Sequence, residues 1–534
     1  GGDRFGEVRR KNTMKKLLQQ LTLSPDKTDF SALLISFLII NFAFLFHSLN
    51  FMWGNHDVAF IKNELLLSSG LFEGRFTQFI PYRLLAMGQI LPILNNIIGL
   101  TFLTLGLWLL AKYWQIPKSK LNYTLFITFF ATQPYTLSWM YFAFITISCL
   151  LWVLLAVLGL YLSEQAYTSR HHKTLCIIAI VCFYIPLGGY PPVINTFFVG
   201  LSARLTIACL FENKSLKNLW RTYKLTLFNI LIAAILFKLT LRFIPVDNVY
   251  NLETTPLKEL PAKFFTTLAI AFRQFFVTLP FMEQGYKTLL AIMSLCAVTG
   301  AFITTPNWQK RICTTLLLTG TIWATALTTF LVIPHTEYVS RIDFYGFAFL
   351  YAFFLALLLK YKTNLSHSLA LVFMLLLIPA NIINDYRAQK VWKQGAEAEF
   401  QILNRVAERI ENHPDFNPNH KYRFYQAGDI SLRPKYYQGR YDKEDVFLLS
   451  LPYLAIWQGA NLLEFYSPYT YIDRTSPLLP SDITPEVYRY FIQQARPFPH
   501  SEAVFVNQDI IIVIYNQAGL DDFREKIRIL YPQT

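Results

Sequence analysis

The stretch Ser31–Phe51, SALLISFLIINFAFLFHSLNF, contains no Asp, Glu, Lys or Arg. A helix of about 20 mostly apolar residues is long enough to cross a hydrocarbon core of roughly 30 Å. The block is longer than the apolar region of a signal peptide and lacks a small-residue cleavage site, so it is interpreted as a retained helix. Comparable blocks recur at Ile97–Leu110, Cys313–Ile333 and Leu369–Ile383. The sequence therefore predicts a polytopic α-helical membrane protein.

The charged residues support this prediction by their number and their position. Only 15% of residues are charged and 54% are hydrophobic, against roughly 25% charged in soluble domains. The formal net charge of +14 is a property shared with nucleic-acid-binding proteins. Here, however, the basic residues lie in short connections between apolar blocks, as the positive-inside rule describes. No nucleic-acid partner is predicted. The residues are Lys112, Lys118, Lys120, Arg170, Lys173, Lys214, Lys217, Arg221, Lys224, Lys310, Arg311, Lys360 and Lys362.

Span lengths and loop charges together predict about eleven transmembrane helices, with the N-terminus in the cytoplasm. With that orientation, the first outer loop 53–91, the outer segment 245–285 and a short loop 334–343 face the outside. Arg204 and Lys238 fall near the ends of predicted spans and are interpreted as snorkelling side chains. The predicted spans lie near residues 30–52, 92–112, 121–138, 140–162, 174–188, 192–211, 225–244, 286–305, 312–333, 344–360 and 366–384.

The chain divides into three predicted parts. Residues 1–13 precede Met14 and are interpreted as a tag or a disordered leader without function. Residues 14–386 form the transmembrane catalytic domain. From Asp385 onward charges become frequent and long apolar runs stop, so residues 387–534 are expected to form an outer α/β domain. Its predicted elements are a helix over 388–411, with Val391, Phe400, Leu403, Val406 and Ile410 on one face, and strands at Tyr422–Gln426, Val446–Leu451 and Ile510–Tyr515.

The cysteines and histidines give no sign of a metal or disulfide framework. All six cysteines lie in or beside apolar blocks and none follows residue 385. No Cys or His spacing resembles a structural zinc site. We therefore expect no metal cofactor.

The most informative polar residue is Asp57, in the first outer loop directly after the first span. The residues that follow it predict a short surface helix whose apolar side includes Phe60, Leu65 and Leu67 and which ends at Gly70. Asp57 then has two compatible roles. It caps this helix, since Asp is favoured there, or it acts as a general base at the membrane surface.

The layout resembles the GT-C superfamily of membrane glycosyltransferases, which carry an acidic residue in the first outer loop and use lipid-phosphate sugars. More narrowly, the chain is similar to the phage-type serotype-converting glucosyltransferase family. Two positions depart from that family. His56 stands beside Asp57 where many relatives have paired acids, and Pro191 follows the tyrosine turn where glutamine is common. The matching features are the Asp57 loop, the Gly74–Arg75 pair, the Gly189–Tyr190 turn, the outer loop with Arg341 and the helix that begins near Phe400.

This resemblance implies a GT-C-like fold and a place in the bacterial inner membrane, with the C-terminal domain in the periplasm. It implies transfer of a sugar from a polyprenyl-phosphate donor to a surface glycan, such as a lipopolysaccharide, or to a protein. Asp57 would take the proton from the attacking acceptor hydroxyl. Glucose is the usual sugar of the family, and a divalent metal is not expected.

The resemblance also suggests which residues contact substrate. Arg75, Arg83 and Arg341 are candidates for the phosphate, because guanidinium groups pair well with phosphate oxygens. Each has a simpler alternative: Arg75 as a solvated loop charge, Arg83 as a snorkelling side chain, and Arg341 as the partner of a nearby acid. The other substrate-binding candidates are Trp53, His56 and Tyr190.

Other functions remain compatible with the sequence. A transporter or flippase of lipid-linked sugars is expected to show repeated halves and interrupted helices, and no clear repeat is present. A polysaccharide polymerase or ligase is expected to have a large late outer loop, whereas the loop 334–343 is short. A purely structural role for the outer domain is the third alternative.

Overall fold

The computed structural model describes residues 24–50, 57–60, 64–246, 255–276, 282, 284–305, 307–331, 340–428, 459–475, 479–507 and 509–531. Helices dominate the part before residue 411, and a small sheet follows them. The helices of the first part are α1 Lys27–Ala43, α2 Leu45–Leu49, α3 Ile80–Ala86, α4 Pro92–Tyr113, α5 Lys120–Ala131, α6 Pro134–Met140, α7 Thr146–Ala166, α8 His172–Gly189, α9 Ile194–Phe211, α10 Leu216–Leu241, α11 Leu260–Arg273, α12 Gln284–Ile303, α13 Trp308–Ala324, α14 Leu327–Leu331, α15 Ser340–Lys360 and α16 Asn364–Glu411.

Seven helical segments within the described residues are long and apolar enough to cross a membrane. They are Pro92–Tyr113, Thr146–Ala166, His172–Gly189, Pro191–Phe211, Leu216–Leu241, Gln284–Ile303 and Asn364–Gln394. The membrane-protein prediction is therefore supported, while the count of eleven is not established.

The other four predicted spans coincide with shorter or interrupted helices. The first is divided at Phe44, and α13 has only 17 residues. The span predicted over 121–138 is two helices, because Pro134 cannot continue α5 and instead starts α6. The fourth, predicted over 344–360, lies within α15, of which Tyr345–Lys360 is the apolar part. The span predicted from residue 140 is among the seven long helices and begins six residues later, at Thr146.

Large apolar side chains cover much of the outer surface of the helices. On α10, Phe228, Leu231, Ile235 and Leu239 are each more than 40% exposed. An apolar surface of this extent is unfavourable in water and matches a lipid environment. The composition of the helices and their exposed faces thus both indicate a membrane protein.

The basic connections meet at one end of the helical bundle, which we call the basic end. There Lys118 Nζ lies 2.6 Å from Asp26, Lys310 Nζ donates to Asn213 at 2.6 Å, and Lys360 Nζ donates to the carbonyl of Gln115 at 2.6 Å. The alternation of basic loops deduced from the sequence is consistent with this arrangement. We call the opposite end, which carries residues 57–60, 64–91, 141–145 and 188–193, the site end.

Arg204 does not snorkel as the sequence suggested. Its side chain is only 1% exposed and pairs with Glu164 and Glu212. The carboxylate of Glu164, 2.7 Å from the guanidinium, also accepts a hydrogen bond from the hydroxyl of Tyr223. Near the end of a span, a buried cation that finds carboxylates on neighbouring elements need not reach solvent.

The C-terminal region contains a four-stranded sheet with strand order β2-β1-β4-β3. β1 is parallel to β2 and β4, and β3 is antiparallel to β4. β1 and β4 agree with the strands predicted at Tyr422–Gln426 and Ile510–Tyr515, and the strand predicted at Val446–Leu451 lies outside the described residues. The boundary at residue 387 stays a prediction, and α16 runs through it without a break. The elements are β1 Tyr422–Ala427, α17 Gly459–Tyr466, β2 Ile472–Thr475, α18 Pro485–Gln493, β3 Val504–Val506, β4 Ile510–Ile514 and α19 Gln517–Leu530.

Candidate active site

Asp57 is completely buried at the site end. Its carboxylate accepts hydrogen bonds from the backbone N–H of Ala143, at 3.1 Å, and of Phe144, at 2.9 Å. Both donors belong to the turn between α6 and α7. Backbone donors stabilise the charged form of a carboxylate and fix its direction. Asp57 therefore links its own short turn, Asp57–Phe60, to the centre of the bundle.

Tyr82, on α3, supports the same turn from another side. Its hydroxyl donates to the carbonyl of Ala143 and accepts from the backbone N–H of Ile147 at 3.2 Å. Burial raises the pKa of this hydroxyl well above its ordinary value, and the nearby charge of Asp57 acts in the same direction. Tyr82 consequently stays protonated at neutral pH and serves as a structural donor beside Asp57.

The predicted surface helix is two 3₁₀ turns, Asp57–Phe60 and Leu67–Glu73. Gly70 lies inside the second turn instead of ending it. A Cβ atom there would come within 2.5 Å of the carbonyl of Arg75, which explains why a glycine is required. The left-handed residue that ends the turn is Gly74, with φ of +74°. The prediction placed the terminating glycine four residues too early.

Arg75 follows this turn and lies against Tyr190. The centre of its guanidinium is 5.2 Å from the centroid of the tyrosine ring, and Nη1 is 2.6 Å from Glu73. Its side chain is 26% exposed. Tyr190 is nearly buried and contacts the ring of Trp139 on α6 at a centroid distance of 5.0 Å. The Arg75 and Tyr190 side chains, predicted separately, are thus in contact.

The turn that carries Tyr190 matches its prediction. Helix α8 ends at Gly189, Tyr190 is extended, and a 3₁₀ turn Pro191–Val193 leads into α9. The backbone of this turn is packed closely, because a Cβ on Gly189 would lie 2.5 Å from the ring of Trp152. Thr77 fixes the turn to the Arg75 segment, since its N–H donates to the carbonyl of Gly188 at 3.1 Å.

The remaining predicted residues are not brought to this cluster by any described contact. Arg83 forms an ion pair with Glu64 at 2.8 Å, with side-chain exposures of 41% and 53%. Arg341 lies in the first turn of α15 and not in a loop, and its side chain is outside the described structure. Trp53 and His56 also lie outside the described residues, as do His335 and Glu337 of the late loop.

Helix α6 is the element that sequence reasoning missed. It joins the cluster through Trp139, and the turn that follows it supplies the N–H groups that bind Asp57. The ring of Tyr141, directly after this helix, packs on Trp392 of α16 at a centroid distance of 4.6 Å. A signal was present in the sequence, since Gln133-Pro134 interrupts an otherwise continuous apolar run.

Among the described residues, no group of three or more His, Cys, Asp or Glu side chains is arranged to hold a metal ion. The arrangement offers instead a fixed carboxylate, an arginine stacked on a tyrosine, and several aromatic rings. Such a set suits a proton transfer beside a polar, ring-shaped substrate.

One family comparison gives a match. Residues 49–359 match the family model described as "Glucosyl transferase GtrII". The matched segment includes Asp57, Arg75, Tyr190 and Arg341 and ends before α16. Neither a curated protein nor a solved structure matches the chain.

Proposed function

Because the chain belongs to the GtrII glucosyl transferase family, we propose that it transfers glucose from a polyprenyl-phosphate donor to a surface glycan on the outer side of the membrane. Family membership favours a glucosyltransferase over the transporter and polymerase alternatives. The choice of donor is supported by the exposed apolar faces of the helices, along which a lipid-anchored sugar could approach the site end.

The observation that carries the mechanism is the position of Asp57 between two backbone donors. A carboxylate has about four acceptor positions, and the backbone N–H groups of Ala143 and Phe144 are two of the donors that hold Asp57. Its direction is fixed by backbone atoms, which hold a general base better than flexible side chains do. Because Asp57 is buried, the acceptor must displace part of the surrounding chain when it binds.

In the proposed reaction, the acceptor hydroxyl gives its proton to Asp57 as its oxygen bonds to the anomeric carbon of glucose. The bond between that carbon and the phosphate oxygen breaks, and polyprenyl phosphate leaves with the electron pair. Phosphate is a good leaving group, so a general acid is less necessary here than in glycoside hydrolysis.

Arg75 and Tyr190 are assigned to the sugar or the acceptor. Tyrosine offers an apolar face and a polar edge, as a sugar ring requires, and Arg75 presents donors beside it. Arg75 and Arg83 both have a carboxylate within 3 Å, namely Glu73 and Glu64. An arginine already paired is a weaker candidate for the phosphate than an unpaired cation. The roles of Trp53, His56 and Arg341 stay predictions.

The outer location follows from the two ends of the bundle. The basic end is assigned to the cytoplasm by the positive-inside rule, so the site end faces the outside together with Asp57. The proposed location is therefore the bacterial inner membrane, with the N-terminus in the cytoplasm and the C-terminal region in the periplasm.

The test is a transfer assay with the purified full-length protein in liposomes. Radioactive glucose is supplied either on polyprenyl phosphate or on a nucleotide diphosphate, together with a surface glycan extract. We expect transfer from the lipid donor alone. Transfer from the nucleotide donor at an equal rate would show that the proposed donor is wrong.

A matched pair of variants examines the sugar-binding cluster. Arg75→Met removes the guanidinium beside Tyr190 and is expected to raise KM by about tenfold or more, the loss associated with one charge-assisted hydrogen bond. Arg242→Met removes an exposed arginine at the same end of the bundle and is the control. Equal effects of the two changes would place Arg75 outside the binding site.

A further inference from the structure

An apolar groove runs along the outside of the bundle between α12 and α13. Its volume is about 350 Å³, within the range of ligand sites. Phe272 at the end of α11, Phe275 and Phe276 just beyond it, and Phe354 of α15 also line it. Its lining is almost entirely apolar and includes Phe272, Phe276, Ala291, Leu295, Val298 and Phe302.

The lining residues of α12 form one stripe of that helix. Ala291, Leu295, Val298 and Phe302 recur at spacings of three or four residues, which places them on one face. From Ala291 to Phe302 the stripe extends about 16 Å at 1.5 Å per residue. Lys287 lies one turn before Ala291 on this same face. A lysine therefore stands at the end of a long apolar strip.

Lys287 is buried, with 2% of its surface exposed. Its Nζ donates to the carbonyl of Gln274 at 2.8 Å and to the hydroxyls of Tyr135 and Tyr351, both at 3.2 Å. All three acceptors are uncharged oxygens. Within the described part of the chain, no carboxylate lies within 4 Å of Nζ, in contrast to Arg75 and Arg83.

The groove and the lysine are directly adjacent. Phe275, which follows the Gln274 carbonyl, contacts the ring of Tyr351 at a centroid distance of 5.8 Å and that of Phe354 at 6.2 Å. A buried ammonium whose partners among the described residues are all uncharged is unfavourable in a membrane and attracts an anion. A molecule with a long apolar chain and one anionic end matches both features at once.

We propose that this groove binds the prenyl chain of the donor and that Lys287 binds its phosphate, whose oxygens replace the carbonyl of Gln274 as acceptors. This assignment rests on the proposed function, because it places the donor lipid used in that reaction. It assigns the phosphate to a lysine, whereas the sequence suggested only arginines for that role.

Helix α6 connects the proposed phosphate site with the proposed base. Tyr135, at the start of α6, contacts Lys287; Trp139, one turn later, contacts Tyr190; and the turn after the helix binds Asp57. A donor whose phosphate lies at Lys287 has its sugar directed along α6 towards the base. The chain, phosphate, sugar and acceptor then follow one another from the groove to Asp57.

The experiment uses two photoactivatable probes on the full-length protein in nanodiscs: a polyprenyl phosphate and the corresponding neutral polyprenol. Labelled peptides are mapped by mass spectrometry. We expect labelling within 291–302 and 315–322, with the phosphate probe favoured by about tenfold, as expected for one charge-assisted contact. Unlabelled polyprenyl phosphate should compete, and excess phosphatidylglycerol should not.

Variants separate the chain-binding part from the phosphate-binding part. Ala291→Trp fills the groove and should abolish labelling by both probes, whereas Leu236→Trp, on the exposed face of α10, should not. Lys287→Met should remove the preference for phosphate and keep labelling by the alcohol. If Lys287→Met does not fold, the ratio of phosphate-probe to alcohol-probe labelling is compared between Lys287→Gln and the wild type instead.

Three results would overturn the proposal: equal labelling of the wild type by both probes, equal displacement by phosphatidylglycerol, or unchanged labelling in Ala291→Trp. The second result would mean that ordinary membrane lipid fills the groove. Labelling as expected, combined with no transfer from any lipid-linked glucose, would retain the groove and reject the proposed reaction. Transfer without labelling would retain the proposed reaction and reject the groove as the donor site.

Discussion

Replacing Asp57 with asparagine tests the proposed base, but the structure shows that it also disturbs the fold. An asparagine offers one carbonyl oxygen where the carboxylate offers two, and its NH₂ group would face a backbone N–H. One of the N–H groups of Ala143 and Phe144, now at 3.1 and 2.9 Å, would lose its acceptor. A buried donor left unsatisfied costs about 1–3 kcal/mol. A loss of activity in Asp57→Asn alone is therefore ambiguous.

Tyr82→Phe is a matched control for this structural cost. It removes a hydroxyl that binds the carbonyl of Ala143 and the N–H of Ile147, so it weakens the same turn by a comparable amount, again about 1–3 kcal/mol. It leaves the carboxylate of Asp57 in place. Both variants should lower the melting temperature of the purified protein by a few degrees.

The two variants should differ in turnover. Loss of a general base lowers kcat by roughly 100-fold or more, so Asp57→Asn should fall by at least that factor in the liposome assay. Tyr82→Phe should stay within about threefold of the wild type, since a structural change of this size leaves most molecules folded at 25 °C. If Tyr82→Phe loses as much activity as Asp57→Asn at equal stability, Asp57 is a structural residue and the base lies elsewhere.

Three further predictions concern charges in the interior. Arg204→Leu leaves Glu164 without its cation, while Glu212 keeps Lys214 at 2.8 Å. The change should destabilise the protein by about 1–3 kcal/mol, whereas Lys238→Leu at an exposed position should not; equal melting temperatures would contradict this. Asp385 is fully buried, and neither carboxylate oxygen has a hydrogen-bond partner among the residues that the structure describes. Asp385→Asn should therefore raise thermal stability or leave it unchanged, and a large decrease would reveal a partner. Asp482 pairs with Arg423 in the C-terminal region, so Asp482→Ala should increase hydrogen exchange of β1 while α4 and α7 stay protected, and uniform exchange would show a different cause.

The sequence predicts those features that depend on neighbouring residues. Apolar length and loop charge together placed the spans near 92–112, 174–188 and 192–211. The observed helices Pro92–Tyr113, His172–Gly189 and Ile194–Phe211 agree with them closely. The turn around Tyr190 was also predictable, because two glycines and two prolines permit little else. Strand Ile510–Ile514 likewise follows from its run of β-branched residues.

The contacts that build the site join residues that are far apart in the sequence. Asp57 binds N–H groups 86 and 87 residues away, and Arg204 pairs with Glu164, 40 residues away. Backbone donors leave no trace in residue identity, so the partners of Asp57 had no sequence signal. Lys287 and Asp385 did have a sequence signal, because an ionisable residue in an apolar segment indicates a functional site by default. Their proximity to span ends concealed it.

Helix α16 continues for 48 residues, from a transmembrane segment into the C-terminal region. At 1.5 Å per residue it is about 72 Å long, more than twice the thickness of the hydrocarbon core. The sheet is thus joined to the membrane-spanning segment by a continuous helix, which contains Pro379, and not by an irregular linker. Its height above the lipid and its orientation are set by the number of residues in that helix: one inserted residue would turn the sheet by about 100°, and seven would raise it by about 10 Å while nearly restoring its direction.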